Sequence, residues 1–313
     1  MKVEDTIDVI FIILTATIGI PGNILIIVAI IYDKRLRVLP NIFTGSIAIA
    51  DIIILVTANP TIVISIQNDG NVLSDTFCQL GGAMVNLSCG VSINTFAVLA
   101  VNRYMYICNK KMYEKYFNSF LKSMMFAVAA WIYIVLWMLP SYTGWTQTAY
   151  MDKQYFCAID HTFKVPYTML LSSVGIGLPA LVTFATYMKI YLVVRKSSKS
   201  VQSHNVNSSS NNDANKKARI DKQFKQIIVF VIVSMMFVVL WAPYAISILF
   251  DMNNSVPMWI MRLVTRIADV NSCINCFIYG VMNKHFRNAY RKIMFFWRKA
   301  DSNETHTVQT PVD

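Results

Sequence analysis

Charged and amide side chains stand inside long apolar runs of this sequence, where they could bind an ion, pair with one another or hold an ionic ligand. Asp51 lies within one run, Asn102 and Arg103 lie near the end of another, and a third contains Arg266 and Asp269. A charge surrounded by apolar groups is costly unless it meets a partner or water. We therefore predict that these side chains converge on a hydrated track inside a bundle. The sequence contains no nucleophile motif, phosphate loop or metal cluster, so we do not expect an enzyme.

Arg266 and Asp269 are three residues apart, which places them on one face of a helix, with Arg262 one turn away. Two interpretations stay open. They form a mutually satisfied ion pair, or one of them anchors a ligand under the second outer loop. In the second case Asp269 would hold a cation or Arg266 an anion.

The composition excludes most soluble enzymes. Of 313 residues, 55% are hydrophobic and 14% charged, and the mean hydropathy is +0.47. A net charge of +11 could suit a nucleic-acid binder. Because the Lys and Arg residues lie between long apolar runs, they indicate a lipid bilayer as the partner and not nucleic acid.

Seven runs are long enough to cross a bilayer core of about 30 Å, which needs about 20 residues of helix. We therefore predict an all-α membrane protein built as a seven-helix bundle. The seventh run is the weakest because charged residues interrupt it. The runs are Val9 to Tyr32, Ile42 to Ile66, Gln79 to Ile107, Met124 to Tyr142, Tyr167 to Val194, Ile227 to Phe250 and Trp259 to Met282.

Lys and Arg concentrate in every second connection and after the seventh run. Because such residues stay in the cytosol, we expect a multi-pass protein of the plasma membrane with its N-terminus outside. The expected parts are an outer N-terminus (1–8), a membrane domain (9–282) with a disordered Ser- and Asn-rich loop at about 197–219, a surface helix (283–299) and a cytosolic tail (300–313).

The surface helix is predicted from spacing. Phe286, Tyr290, Ile293 and Trp297 follow at steps of four, three and four among basic residues. This pattern is typical of an amphipathic helix that lies on an anionic membrane surface.

At least one motif in each run matches one family. The matching motifs are Gly22-Asn23, Ala48 to Asp51, Cys78, Asn102-Arg103-Tyr104, Trp131, Pro179 with Tyr187, Trp241-Ala242-Pro243 and Asn275 to Tyr279. In this order and spacing the chain resembles the class A, rhodopsin-like G-protein-coupled receptors from about Gly22 to Arg291. Gly144-Trp145, Cys157 to Asp160 and Met282 to Asn288 look like opsins, whereas Tyr106 to Asn109 and Asn271 to Tyr279 look like melatonin receptors.

The departures from these branches bear on the ligand. Opsins bind retinal through a Lys six residues before the Asn of the last motif, and this position is Asp269. Covalent retinal is therefore not expected. The His that melatonin receptors place before the Pro of the fifth helix is Gly175, and the Asp of amine receptors is Val85.

The resemblance implies roles for particular residues. Trp241 would form the floor of a ligand pocket, and Arg103 would meet the G protein when the sixth helix swings outward. Since Asn102 replaces the usual acid before Arg103 and no acid stands at Gln223, we expect a weak resting clamp and basal signalling. The expected ligand set is Val85, Asn86, Ile159, Trp241, Arg266 and Asp269. The expected activation set is Asn102, Arg103, Tyr104, Tyr187, Pro243, Asn275 and Tyr279.

Two further sites are expected. Asp51, Ser92, Asn271 and Asn275 look like the interior site at which receptors of this class hold a sodium ion. Cys78 and Cys157 both face the oxidising side in the predicted topology, so a disulfide is expected. It would close a loop of about 80 residues and contribute about 4 kcal/mol.

The predicted function is to transduce an outer small-molecule ligand, or light in a non-standard way, to a heterotrimeric G protein. Arrestin and a receptor kinase are further expected partners, through Ser and Thr residues of the third inner loop and tail. Two alternatives remain: a transporter or channel, and a ligand-less partner that modulates other receptors.

Overall fold

A computed structural model describes the backbone of residues 2–204 and 211–295 and their side chains, except those of residue 194 and of residues 196–227. Seven spans form a helical bundle. They are span 1, α1 (Val3–Tyr32); span 2, α2 (Pro40–Gln67); span 3, α3 (Asp75–Cys108); span 4, α5 (Phe120–Met138); span 5, α6 (Val165–Leu170) continued by α7 (Leu178–His204); span 6, α8 (Asn211–Phe250); and span 7, α9 (Met258–Asp269) with α10 (Asn271–Met282).

The smaller elements lie at the two ends of the bundle. α4 (Lys110–Tyr116) follows span 3, and α11 (Lys284–Met294) follows span 7. An antiparallel hairpin of β1 (Thr148–Met151) and β2 (Phe156–Ile159) joins spans 4 and 5. We call the end that holds this hairpin and the chain's N-terminus the hairpin end, and the opposite end, with Arg35 and Arg37, the basic end.

The seven predicted spans are all present, but their ends differ from the apolar runs. Span 1 begins at Val3 and not Val9, because the backbone N–H of Lys2 donates to the Asp5 carboxylate at 3.0 Å and caps the first turn. Span 3 begins at Asp75, and span 4 ends at Met138. Helices extend beyond the apolar core wherever polar side chains can satisfy their ends.

Helix also covers both sides of the segment expected to be disordered. α7 continues to His204 and α8 begins at Asn211, while residues 205–210 lie outside the described part of the chain. The sequence pattern could not show this, since helical hydrogen bonds are local and form without apolar contacts.

Spans 5 and 7 are not regular. Residues Leu171–Gly177 of span 5 form a π-helical turn just before Pro179, which has no N–H to donate. Span 7 is interrupted at Val270, so its two halves have 12 residues each. Six helices are long and apolar enough to cross a membrane by composition alone. Span 7 crosses as two short helices that carry Arg262, Arg266 and Asp269.

The surface helix α11 is confirmed as amphipathic. Asn283 caps it by accepting from the backbone N–H of His285 at 3.0 Å. Phe286 is completely buried and stacks on Tyr279 of span 7, with ring centres 5.0 Å apart. Its apolar face therefore packs against the bundle, while Trp297, predicted on the same face, lies beyond the described residues.

Spans 1 and 7 are in close contact at mid-depth. A Cβ atom on Gly22 would lie 2.6 Å from the Sγ of Cys276, and one on Gly19 would lie 3.3 Å from the carbonyl oxygen of Ser272. Only glycine permits this approach. On the outside, large apolar side chains such as Ile10 and Ile13 are about half exposed, as expected for contact with lipid.

Candidate functional site

The interior polar track predicted from the sequence is present in the middle of the bundle. Asp51 is 3% exposed. Its Oδ1 accepts from Ser272 Oγ at 3.1 Å and its Oδ2 from Asn275 Nδ2 at 2.9 Å. Asn23 Nδ2 donates to the Ser272 carbonyl at 2.7 Å. Spans 1, 2 and 7 are thus joined through one buried carboxylate, just after the break in span 7.

Oxygen atoms around Asp51 remain free to bind a cation. Within the part of the chain that is described, the amide oxygens of Asn271 and Asn275 accept no hydrogen bond, and Ser92 is buried on span 3. Carboxylate, amide and hydroxyl oxygens are the donors that hard cations prefer. The residues present therefore fit the predicted sodium site.

Arg103 lies at the basic end of span 3 and is 8% exposed. Its guanidinium carbon is 4.3 Å from the ring centre of Phe230 on span 6, a cation–π contact. Among the described side chains, Arg103 forms no ion pair, and both amide atoms of Asn102 lack hydrogen-bond partners. The side chain of Gln223 is outside the described set. An aromatic ring of span 6 therefore faces Arg103 in this structure.

A cavity of about 380 Å³ opens beside Arg103 at the basic end. It is lined by residues of spans 2, 3 and 6 and of the connections near them, including Leu36, Tyr106, Tyr113, Phe230 and His285. Tyr104 is half-buried on the same turn of span 3. Arg103 therefore borders an open space at the basic end of the bundle.

Tyr187 and Tyr279, the two buried tyrosines of the expected activation set, point into the bundle. The Tyr187 hydroxyl lies 3.5 Å from Ser234 Oγ on span 6, and the Tyr279 hydroxyl lies 3.5 Å from Thr44 Oγ1 on span 2. The Tyr279 ring is also 6.5 Å from that of Phe230. Phe230 therefore contacts both Arg103 and Tyr279 and links spans 3, 6 and 7.

Trp241 lies on span 6, two residues before the helix-interior Pro243. Its ring stacks on Phe237 at 5.9 Å and meets Tyr244 edge-on at 5.8 Å. Phe237 in turn lies 5.1 Å from Phe96 of span 3. An aromatic column thus runs down span 6 from Tyr244 and packs against span 3 at its base.

The hairpin closes the mouth of the bundle. The disulfide between Cys78 and Cys157 is formed, which ties β2 to the start of span 3. A Cβ on Gly82 would lie 2.4 Å from Thr148 and 3.0 Å from the Cys157 carbonyl. Span 3 therefore needs glycine here for the hairpin to lie flat against it.

Asp251 anchors the hairpin from the other side, a role that sequence reasoning missed. This residue, 1% exposed at the end of span 6, pairs with Lys153 at 2.8 Å and His161 at 3.3 Å. Burial alone would raise the pKa of Asp251, but the hydrogen bonds from Lys153 and from the backbone of Val256 lower it. A lone Asp just after an apolar run was the available signal.

The expected ligand residues do not share one cavity. Asn86 and Ile159 line a cavity of about 60 Å³ between spans 3, 4 and 5, together with Gly175. Val85 faces a separate space of about 10 Å³ near span 2. The single pocket expected from the sequence is therefore divided, because the hairpin occupies the centre of the mouth.

Arg266 and Asp269 form the expected ion pair, with Nη1 and Oδ2 3.1 Å apart. Arg266 faces span 1, and Arg262 one turn away also contacts the hairpin, with its guanidinium carbon 4.4 Å from the ring centre of Tyr155. Arg266 Nε is also 3.6 Å from Asp8, and Arg262 Nη1 is 3.0 Å from Asp5. These acids of span 1 were missed, although their spacing of three residues matches that of a helix face.

Comparisons with known proteins agree with this geometry. The profile of the family described as 7 transmembrane receptor (rhodopsin family) matches residues 22–279. Melatonin receptor type 1C of Xenopus laevis is 28% identical over 298 residues, which cover 90% of this chain and 66% of that receptor. Melatonin receptor type 1A of Mus musculus is 28% identical over 290 residues, covering 90% of this chain and 78% of that receptor.

The fold matches a solved structure as well. Squid rhodopsin superposes with a TM-score of 0.83 at 20% identity, over 100% of this chain and 94% of that one. The resemblance to class A, rhodopsin-like receptors is thus confirmed, with melatonin receptors similar in sequence and squid rhodopsin similar in fold. With the family profile covering most of the chain, the protein belongs to the rhodopsin family of seven-transmembrane receptors.

Proposed function

We propose that this receptor resides in the plasma membrane with its hairpin end outside, and that it converts binding of a small uncharged ligand into nucleotide exchange on a heterotrimeric G protein. The orientation follows from Lys and Arg at the basic end, which stay in the cytosol. The observation that carries the proposal is the cavity beside Arg103, which has the position and charge for a G-protein segment.

The ligand class follows from the cavity between spans 3, 4 and 5. Its lining consists of apolar side chains, Cys89 and glycines, with the amide of Asn86 as the main polar group. Since Asn86 Nδ2 already donates to the Gly82 carbonyl at 2.7 Å, its oxygen is left to accept from a ligand. A charged ligand would remain unpaired there, which is costly.

Activation is a shift between two positions of span 6. Outward movement of its basic end separates Phe230 from Arg103 and frees Tyr187 from Ser234. Trp241 and Pro243 provide the transmission from the ligand cavity, since the proline removes one backbone hydrogen bond and weakens the helix at that turn.

A sodium ion bound by Asp51, Ser92, Asn271 and Asn275 would stabilise the resting state. It would supply positive charge to the buried carboxylate, and the free amide oxygens would coordinate it. The test is thermal stability of the purified receptor in NaCl against choline chloride. Sodium should raise the melting temperature of the wild type and not that of Asp51→Asn. Equal stabilisation of both proteins would contradict the site.

Two smaller parts of the proposal concern partners and light. Arrestin and a receptor kinase would act on Ser and Thr residues of the tail, which lies outside the described residues. Asp269 is paired with Arg266 where opsins have their retinal lysine, so we propose that any retinal would bind without a covalent bond.

The experiment that tests the proposal measures recruitment of a panel of G-protein α subunits in cells, without added ligand, to the wild type and to Arg103→Ala. We expect a basal signal that the mutation abolishes. The responding subunit names the coupling class and provides an assay for ligands and light. A well-expressed surface receptor that is silent with every subunit would contradict basal coupling and favour the ligand-less partner.

A further inference from the structure

A crevice of about 390 Å³ separates spans 1 and 7 at the hairpin end and opens sideways. One face of span 1 lines it, with Glu4, Ile7, Asp8 and Phe11. The opposite wall is one face of α9, from Trp259 to Val270. Because spans 1 and 7 touch at Gly22 and Gly19, the crevice is closed toward mid-depth. It is therefore open toward lipid and blind at its base.

The crevice changes character with depth. Glu4 and Trp259 stand at its rim, and Arg266 lies seven residues, or about 10 Å, below Trp259 along the helix. Phe11, Ile267 and Val270 line the deeper part. A tryptophan near the end of a span is typical of the membrane interface. The polar part of the crevice is thus at the level of lipid head groups, and its apolar part is at the level of the acyl chains.

The polar part contains unsatisfied atoms of both kinds. Arg266 is 5% exposed. Within the described structure, its Nε and Nη2 and the Nε of Arg262 donate no hydrogen bond, and the Oδ2 of Asp8 accepts none. Nε of each arginine is 3.6–3.9 Å from an Asp8 oxygen, which is an ion pair but longer than a hydrogen bond. Buried polar atoms without hydrogen-bond partners cost free energy, and a ligand that supplies the partners lowers that cost.

The lining has two acids and two guanidinium groups, and Asp5 and Asp269 also pair with these guanidinium groups from outside the lining. We propose that the crevice binds the head group of a phosphocholine lipid from the adjacent leaflet. The phosphate oxygens accept from Arg262 and Arg266, and planar guanidinium groups suit phosphate. The quaternary ammonium group lies near Glu4 and over the exposed ring of Trp259, where cation–π attraction favours it. One acyl chain packs on Phe11 and Ile267.

This site is separate from the ligand cavity between spans 3, 4 and 5, and it does not depend on the proposed signalling function. It involves the two residues, Arg266 and Asp269, for which the sequence left an ion pair and a ligand anchor open. Arg266 pairs with Asp269, while Nε and Nη2 of its guanidinium are buried without a hydrogen-bond partner.

The test is native mass spectrometry of the purified full-length receptor with palmitoyl lysophosphatidylcholine. Competing probes with the same chain are lysophosphatidylglycerol, which is anionic, and monopalmitoylglycerol, which is uncharged. We expect one tightly retained lysophosphatidylcholine per receptor, held in preference to both competitors. Preferential retention of either competitor would overturn the proposed head group.

Two isoleucines of span 1 provide a matched pair of variants. Ile7 lines the crevice and is 61% exposed, whereas Ile10 is 54% exposed and faces lipid outside it. Ile7→Trp should fill the crevice and weaken binding of lysophosphatidylcholine by about tenfold or more, equal to about 1.4 kcal/mol. Ile10→Trp adds the same ring and should leave binding unchanged. Equal binding by the two variants would refute the site.

A charge variant separates head-group recognition from burial of the acyl chain. Arg266→Gln should weaken binding of lysophosphatidylcholine and leave that of monopalmitoylglycerol unchanged, because only the phosphate uses the guanidinium. Equal loss of both lipids would contradict phosphate binding. If this variant does not fold, the isoleucine pair still decides the question.

Discussion

The contact between Arg103 and Phe230 predicts how strongly the resting state is held. Phe230 is 4% exposed and supplies the only aromatic ring described over the Arg103 guanidinium. Phe230→Leu keeps an apolar side chain and removes the cation–π attraction, while Phe230→Tyr keeps the ring. Since movement of span 6 breaks this contact in the active state, the loss of the ring destabilises the resting state alone.

The size of the change in the active-to-resting ratio follows from the strength of the cation–π contact. A cation–π contact contributes about 0.5–2 kcal/mol, with the higher value for desolvated pairs. Each 1.4 kcal/mol is about tenfold in an equilibrium constant, so Phe230→Leu should raise the active-to-resting ratio roughly two- to thirtyfold. The buried position of Arg103 favours the upper part of this range.

The assay is ligand-free G-protein recruitment, normalised to receptor at the cell surface. We expect basal signalling to rise in Phe230→Leu, to stay near the wild-type level in Phe230→Tyr, and to disappear when Arg103→Ala is added to either. A basal signal in Phe230→Leu equal to that of the wild type, with surface expression equal, would refute the argument that this ring holds the resting state.

Three further predictions follow from other contacts. Asn102→Asp restores an acid beside Arg103 and should lower basal recruitment; an unchanged signal would show that the missing acid does not weaken the clamp. Asp251→Asn should lower the melting temperature at pH 7 by removing a charge-assisted bond of about 1.5–3 kcal/mol to Lys153. Because the pKa of folded Asp251 lies below its usual value of 3.8, this stabilisation is complete above that value and is lost as the pH falls through the folded pKa. The difference in melting temperature between Asp251→Asn and the wild type should therefore narrow only in strong acid. A difference that disappears near neutral pH would contradict this role of the Asp251 charge. Gly82→Ala should reduce the free energy of unfolding by about 1–3 kcal/mol through overpacking against the hairpin. Gly81→Ala, with open space at its Cβ, is the control and should be more stable than the wild type by about 0.5–1 kcal/mol, because alanine favours a helix more than glycine does.

The bundle could be predicted from the sequence because a bilayer imposes one length and one polarity on each span. Six runs are apolar enough by themselves to cross a membrane, and the distribution of Lys and Arg requires an odd number of spans. The hairpin could not be found in this way. Its strands have four residues each. They are held by a disulfide and by the ion pair of Asp251, whose partners lie far apart in sequence, so local sequence patterns do not reveal them.

The interior site was predicted better than the ligand site. Asp51, Asn271 and Asn275 are confined to the bundle interior by polarity alone, so their convergence followed from helix positions. The ligand set depended on where the loop between spans 4 and 5 lies. Because Phe156 and Tyr155 are buried in the mouth, Val85 and Asn86 face different spaces.

The ion pairs between spans 1 and 7 have a consequence for biogenesis. Arg262 and Arg266 make the last span too polar to stay in lipid unaided, and their partners Asp5 and Asp8 lie about 257 residues earlier in the chain. Span 1 must therefore remain in the membrane until span 7 has been translated, and its acidic face then pairs with the arginines of span 7. Loss of Asp5 and Asp8 would leave Arg262 without a carboxylate partner and Arg266 with Asp269 alone during insertion.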